Sequence, residues 1–477
     1  MKTRFETCDV KLTPLSPIHI SSGNPDYGWG AVWLPSQEKM FILDSERFSQ
    51  KLVESALLDK YIESVEKWIY LSDTEKEKQP NPCFTFLRDN RQFLFPDINI
   101  EKFVKELSIT ELNAPNKTRF IRNGEGHAYI PGSSIKGAIR TAVVYAMLEE
   151  HKRQTKIDYL NDTYLNSMLD GKSTIPSDTK SGFDTRKGMD KKLLESILED
   201  FELIEKDNCG SPVMLHRGKI DNGSITNLMR AILVSDSTPI PHIQKNLVDE
   251  DIKIIMLDNP NSCGERGLNK NALPYAIKEN RKQCYEPNQQ PIITFKITID
   301  HEILRSFSEN TTLQKFPIII QNLYDIKKII DKFFTAVWKA EEEYYLDFLT
   351  IYSNNIREEK MIEKVLDFYD NETNTYPKLL PNINIGLGSG MLCKTLLIAV
   401  KEEYQIKIRN LQMTQRQIEN QNRTINGRGN PVDWTKKIAP NSRHLVFRNS
   451  DKFSNAFSPL GWANLEFGSI TYEDNAL

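Results

Sequence analysis

Two short stretches carry the groups that could hold phosphate. The first, IGLGSGMLCKT at residues 385–395, puts Gly386, Gly388, Ser389 and Gly390 within five residues, with Lys394 and Thr395 behind them. Glycines strip a loop of side-chain bulk and tolerate positive φ, so backbone N–H groups can approach an anion closely. A nucleoside-triphosphate loop needs glycine directly before its lysine, and Cys393 stands there instead. A dinucleotide fingerprint needs G-x-G-x-x-G, whereas these glycines run G-x-G-x-G with no tidy βαβ unit around them. ATP and NAD therefore fit poorly. Phosphates of a polymer remain, and so does a plain tight turn before a helix.

The second stretch is YIPGSSIKGAIRTA at residues 129–142. Pro131 and Gly132 form a turn, Ser133 or Ser134 is the expected N-cap, and Ile135, Ile139, Ala142, Val143 and Ala146 make an apolar helical stripe. Lys136 and Arg140 are four apart and share one face of the first turns. Cations there oppose the helix dipole, so a nearby anion would offset the conflict. A solvated cationic face with an ordinary cap is the alternative. The loop LSPIHISSG at 15–23 supplies Ser21, Ser22 and Gly23, while Arg119 and Arg122 add charge. Tyr129 and Trp29 could stack on bases or pack in the core. His19 and His127 adjoin these loops. As general acid or base beside a ribose 2′-OH, they would serve a metal-independent endoribonuclease. His19 reads better as a packed side chain, and His127 as an exposed loop residue.

The bulk sequence narrows the classes. Net charge is −3, which excludes a chain coated in positive charge but not a local basic channel. Residues 115–141 hold Lys117, Arg119, Arg122, Lys136 and Arg140 against Glu125 alone, and residues 401–450 hold ten Lys or Arg against four acids. The six cysteines lack any CxxC pair and the seven histidines are dispersed, which argues against zinc or a disulfide framework and fits a reducing cytoplasm. No long apolar run suggests a membrane span, and the first residues lack the apolar core of a leader.

Elements must position these loops. Residues 6–12 and 291–300 alternate apolar and polar side chains, as strands do, and AVWL and KMFIL read as two more. Asp44-Ser45 marks a helix start, and helices are expected over 318–348, 358–369 and 391–403. The pattern predicts an α+β protein with antiparallel sheets and helical insertions, divided into 1–285, with an insertion at about 152–210, and 286–477, with the glycine loop at 385–390.

LSPIHISSG, IPGSSIKGAIRTA, ILVSDS (232–237), IGLGSG with its Lys-Thr, and SPLGW (458–462) follow one another in family order. In these segments the chain resembles the RAMP proteins of type III CRISPR systems, and among them the fifth Csm-type family of the type III-A effector complex. The resemblance implies two ferredoxin-like (RRM-like) domains and a non-catalytic RNA-binding role. It implies capping of the 3′ end of the CRISPR RNA, contact with the target RNA, and a part in 3′-end maturation with host ribonucleases. Expected neighbours are the repeated backbone subunit and the small subunit; no cofactor, metal or membrane is implied. Gly386, Gly388 and Gly390 carry over from the glycine-rich signature.

Overall fold

The computed structural model describes residues 4–21, 31–34, 39–71, 82–112, 120–123, 127–166, 193, 197–198, 202–206, 209, 212–217, 227–240, 248–256, 268–272, 293–309, 316–352, 363, 365–369, 381–386, 390–405, 442–447 and 456–473. Its strands are β1 (Phe5–Pro14), β2 (Ala31–Leu34), β3 (Lys39–Leu43), β4 (Ser108–Leu112), β5 (Glu202–Lys206), β6 (Pro212–Arg217), β7 (Ile232–Val234), β8 (Val248–Met256), β9 (Leu268–Ala272), β10 (Ile293–Asp300), β11 (Ile383–Asn384), β12 (Ser442–Phe447), β13 (Ala456–Pro459) and β14 (Trp462–Glu473). The helices are α1 (Ser45–Glu54), α2 (Leu58–Ile69), α3 (Pro82–Asp89), α4 (Arg91–Leu94), α5 (Ile100–Leu107), α6 (Gly132–Thr155), α7 (His301–Glu309), α8 (Leu323–Tyr352) and α9 (Gly390–Lys394).

The main sheet has the order β11-β14-β1-β10-β7 and is antiparallel throughout. Alternation on β1 buries Glu6, Cys8, Val10 and Leu12 and leaves Asp9 and Lys11 exposed. On β10 Ile293, Phe295, Ile297 and Ile299 are buried, as the period-two pattern predicts, and Asp300 at the strand end is buried with them. Helices α6 and α8 pack together over this buried face, with Tyr145 against Phe333 at 5.3 Å, and Ile139, Val143 and Met147 of one and Ile326, Ile330 and Phe333 of the other join the same core.

With those helices placed, β1-α6-β7-β10-α8-β14 is a β-α-β-β-α-β unit with the fourth strand beside the first and the third between first and second. That is the ferredoxin-like order. It appears once among the described residues and draws on both halves of the chain: β1 and β7 lie before residue 285, and β10 and β14 after it. Buried Glu6 ties the helical layer to β1. Its carboxylate accepts the Leu323 N–H at 3.0 Å and meets His301 Nε2 at 2.9 Å.

Among the described residues there are three smaller sheets: β13-β12-β8-β9, β2-β3-β4 and β5-β6. The β2-β3-β4 sheet and helices α1, α2, α3 and α5 enclose a separate core around Phe41, Phe48, Phe86 and Phe103. Asp44 caps α1 as its sequence predicts, accepting the N–H groups of Glu46 and Arg47 at 3.0 and 3.1 Å.

The helix expected over 391–403 stops early. After α9 the Thr395 hydroxyl accepts the Leu397 N–H at 3.1 Å, and the chain turns into a 3-10 segment at Leu397–Ala399. A side chain that captures a backbone donor competes with the helical ladder. Buried Asn161, on a π-helical turn at Tyr159–Leu165, holds this segment by donating to the Ala399 carbonyl and accepting the Lys401 N–H, both at 2.9 Å.

Candidate nucleic-acid interface

The segments singled out by composition converge at one end of the main sheet. β1 leaves the sheet into 15–21, α6 enters after 127–131, β7 runs into 235–240, β11 into Ile385 and Gly386, and β14 begins at Trp462. Their backbones are stitched together. Ile121 N–H donates to the Ile20 carbonyl at 2.9 Å, Ile240 N–H to Ala128 at 2.8 Å, and Gly461 N–H to Pro17 at 2.8 Å. Ile385 N–H donates to the Gly461 carbonyl and Ser237 N–H to Ile130, both at 2.9 Å.

Two glycines hold the left-handed conformation that makes these approaches possible. Gly386 (φ +84°) lies so close to the His19 carbonyl that a Cβ would overlap it. At Gly461 (φ +84°) a Cβ would meet the Ile385 carbonyl at 2.5 Å and Asn384 Oδ1 at 2.6 Å. Gly132 serves close approach without positive φ: a Cβ there would meet the Ser235 carbonyl at 2.6 Å.

The start of α6 departs from its expected form. Its N-cap is Pro131, with no side-chain cap, and Ser133 and Ser134 lie inside the first turn rather than capping it. Asp236, from the ILVSDS segment, accepts the Gly132 N–H at 2.8 Å, while the Ser237 hydroxyl accepts the Ile130 N–H at 2.9 Å. The chain thus supplies one anion of its own to this helix end. Ser133 and Arg140 are exposed and Lys136 is half-buried. Neither cation makes an ion pair among the described residues, and burial pushes the Lys136 pKa down.

The remaining candidates divide. Arg122 bridges to Ala128, and burial lowers its pKa to about 10. Ser21 is exposed and bridges to Phe120. Lys394 closes α9, which packs on α6; the surrounding protein pushes its pKa down although the side chain reaches solvent. His444 on β12 is pushed down too, by burial and then by the charge of Lys394. Gly390 opens α9, whereas Ser22, Gly23, Arg119, Gly388 and Ser389 lie outside the described residues. His19 is fully buried, its ring edge-on to Phe120 at 6.1 Å, so the imidazole is a core side chain and out of reach of a scissile phosphate. His127 is half-buried in a turn where Asn123 Oδ1 accepts its N–H at 2.8 Å.

Asp236, Ser237, Asn384 and Gly461 belong to this cluster but were not expected in it. ILVSDS marked the segment of Asp236 and Ser237 and SPLGW that of Gly461, while Asn384 stands just before the glycine stretch; only the fold shows that they brace the other loops.

The sequence profile of the RAMP superfamily matches residues 11–386, from β1 through the first glycine of the loop. The chain belongs to the RAMP superfamily. It is 27% identical over 241 residues to the CRISPR system Cms protein Csm5 of Streptococcus thermophilus, covering 46% of this chain and 62% of that protein. A protein of the same description from Enterococcus italicus is 28% identical over 155 residues, which are 28% of this chain and 42% of the relative. The chain thus spans less than two thirds of the length of each of these relatives. Among solved structures, a cryo-EM structure of a Csm-crRNA-target RNA ternary complex of a type III-A CRISPR-Cas system contains a chain 22% identical, with TM-score 0.45 and coverage of 98% of this chain and 100% of that one. The crystal structure of T. onnurineus Csm5 is 19% identical, with TM-score 0.41 and coverage of 96% and 99%. Among the described residues no helix is long and apolar enough to cross a membrane, and no group of His, Cys, Asp or Glu could hold a metal ion.

Proposed function

We propose that the chain is the RNA-capping subunit of a type III-A CRISPR effector complex in the cytoplasm. It holds the 3′ end of the CRISPR RNA together with the target strand, beside the repeated backbone subunit and the small subunit. It binds and does not cut, and maturation of the 3′ end depends on it while host ribonucleases trim. The RAMP membership and the likeness to Csm5 proteins support the assembly. The observation that carries the RNA-binding part is the loop cluster itself. Backbone turns without side-chain bulk meet the start of α6, where Lys136 and Arg140 stand without acid partners among the described residues. Such a surface grips a sugar–phosphate chain by charge and shape, not by base identity.

Lys136→Met tests the reading with opposite signs on two readouts. A lysine whose folded-state pKa is depressed opposes folding wherever the unfolded chain still binds its proton, so stability rises with pH through the alkaline window between the two values. The variant removes this opposition and is expected to melt no lower than the wild type at neutral pH. Affinity for single-stranded RNA is expected to fall several-fold, with the salt slope reduced by about 0.7. Unchanged RNA affinity would remove Lys136 from the interface. Cleavage of repeat RNA by the purified chain, lost on His127→Ala, would instead move the protein to the ribonuclease class.

A further inference from the structure

Helix α8 carries a second cationic surface, away from the loops. Tyr324, Lys328, Lys332, Thr335 and Lys339 are all exposed, and their spacing keeps them within about 80° of arc on an α-helix. Lys328 Nζ lies 4.3 Å over the ring of Tyr324, which is 58% exposed. Three of the neighbouring acids are engaged, whereas part-buried Glu342 and exposed Glu343, just past Lys339, make no ion pair among the described residues. Asp325 accepts the Gln321 N–H, half-buried Asp331 accepts the Asn382 amide and faces Lys327, and Glu150 on α6 is taken by Arg153 and Gln154, with Lys332 adding only its field.

The stripe has a direction. α8 begins against Glu6, near the start of β1, and Trp338 packs on Trp462 at 4.8 Å, next to Gly461 at the loop end. From Tyr324 to Lys339 it runs about 22 Å along the axis, with lysines four residues apart separated by about 6 Å. It therefore ends at the level of the loop cluster.

We propose that this face of α8 is a track for single-stranded RNA leaving the loop cluster, with phosphates on Lys339, Lys332 and Lys328 and a base on Tyr324. The RNA-binding reading of the loops enters in one respect, as the place the strand comes from. Charge complementarity and continuity with the loops favour a polyanion. A protein partner fits less well, because lysine is depleted in protein–protein interface cores, where apolar anchors dominate. Between Asp325 and Tyr345 no large apolar side chain is exposed among the described residues. An exposed aromatic flanked by cations is the usual means of holding a single strand without reading its sequence.

The test compares the full chain, its K328E/K332E/K339E variant and Lys136→Met for binding to RNAs of about six and about fifteen nucleotides across a salt series. The triple variant is expected to bind the longer RNA about tenfold or more weakly, to lose about two units of salt slope, and to bind the shorter RNA as the wild type does. Lys136→Met is expected to weaken both. Unchanged binding of the longer RNA, or equal loss for both lengths at an unchanged melting temperature, overturns the track. So does unaltered RNA binding with failed association with the protein subunits, which would make the stripe a protein-docking surface. A triple variant defective on long RNA beside a Lys136→Met chain without defect keeps the track and removes the loop reading; a wild-type chain that binds neither RNA removes both.

Discussion

Glu341→Ala is expected to destabilise the protein by about 3–5 kcal/mol, read as a lower urea midpoint, because it strands a buried guanidinium. Glu341 Oε2 lies 2.5 Å from Arg443 Nε, with side chains 9% and 7% exposed, and the guanidinium also covers the Tyr344 ring at 3.8 Å. Burial alone would lower the Arg443 pKa, but the charge and hydrogen bond of Glu341 together with Tyr344 and Tyr345 outweigh it and hold the pKa above its ordinary range. Burial, followed by the charge of Glu341, likewise pushes up Tyr345 and Tyr369. The pair fastens β12, and with it β13, β8 and β9, to the helical layer. Arg443→Met in the Glu341→Ala background is expected to recover much of the loss, since it removes the stranded charge. A drop below about 1 kcal/mol for Glu341→Ala would mean that the pair does not hold these layers together.

Gly386→Ala is expected to be strongly damaging. The left-handed backbone alone opposes a side chain by about 1–3 kcal/mol, and the added Cβ would overlap the His19 carbonyl. Relief requires 15–21 and 385–386 to part, which opens the loop cluster, so the melting temperature and RNA affinity should fall together. Gly137 is the internal control. It sits within α6, a Cβ there meets nothing within 4 Å, and Gly137→Ala is expected to add about 0.5–1 kcal/mol of stability. Equal effects at the two glycines would refute the packing at Gly386.

What the sequence disclosed follows from the range of each interaction. The strands β1 and β10 and the stripe of α6 were legible because alternation and helical period are local. The shared sheet was not, because β1 pairs with β14, as at Cys8 with Ile470, and local patterning says nothing of such partners. The capping serines failed for the same reason: Asp236, a hundred residues downstream, takes the Gly132 N–H. An acid is also an unexpected neighbour for a phosphate site, so composition gives Asp236 no signal. For His19 the Pro-bracketed setting favours packing over chemistry, and its burial places it in the core.

The central claim is that the loop cluster touches RNA, and photocrosslinking in the purified effector complex, with mass-spectrometric mapping of the linked peptides, tests it most directly. Adducts are expected within residues 127–140 and 385–394, attached to nucleotides near the 3′ end of the CRISPR RNA. Adducts on this chain that avoid both segments, or that join them only to the 5′ end, would contradict it.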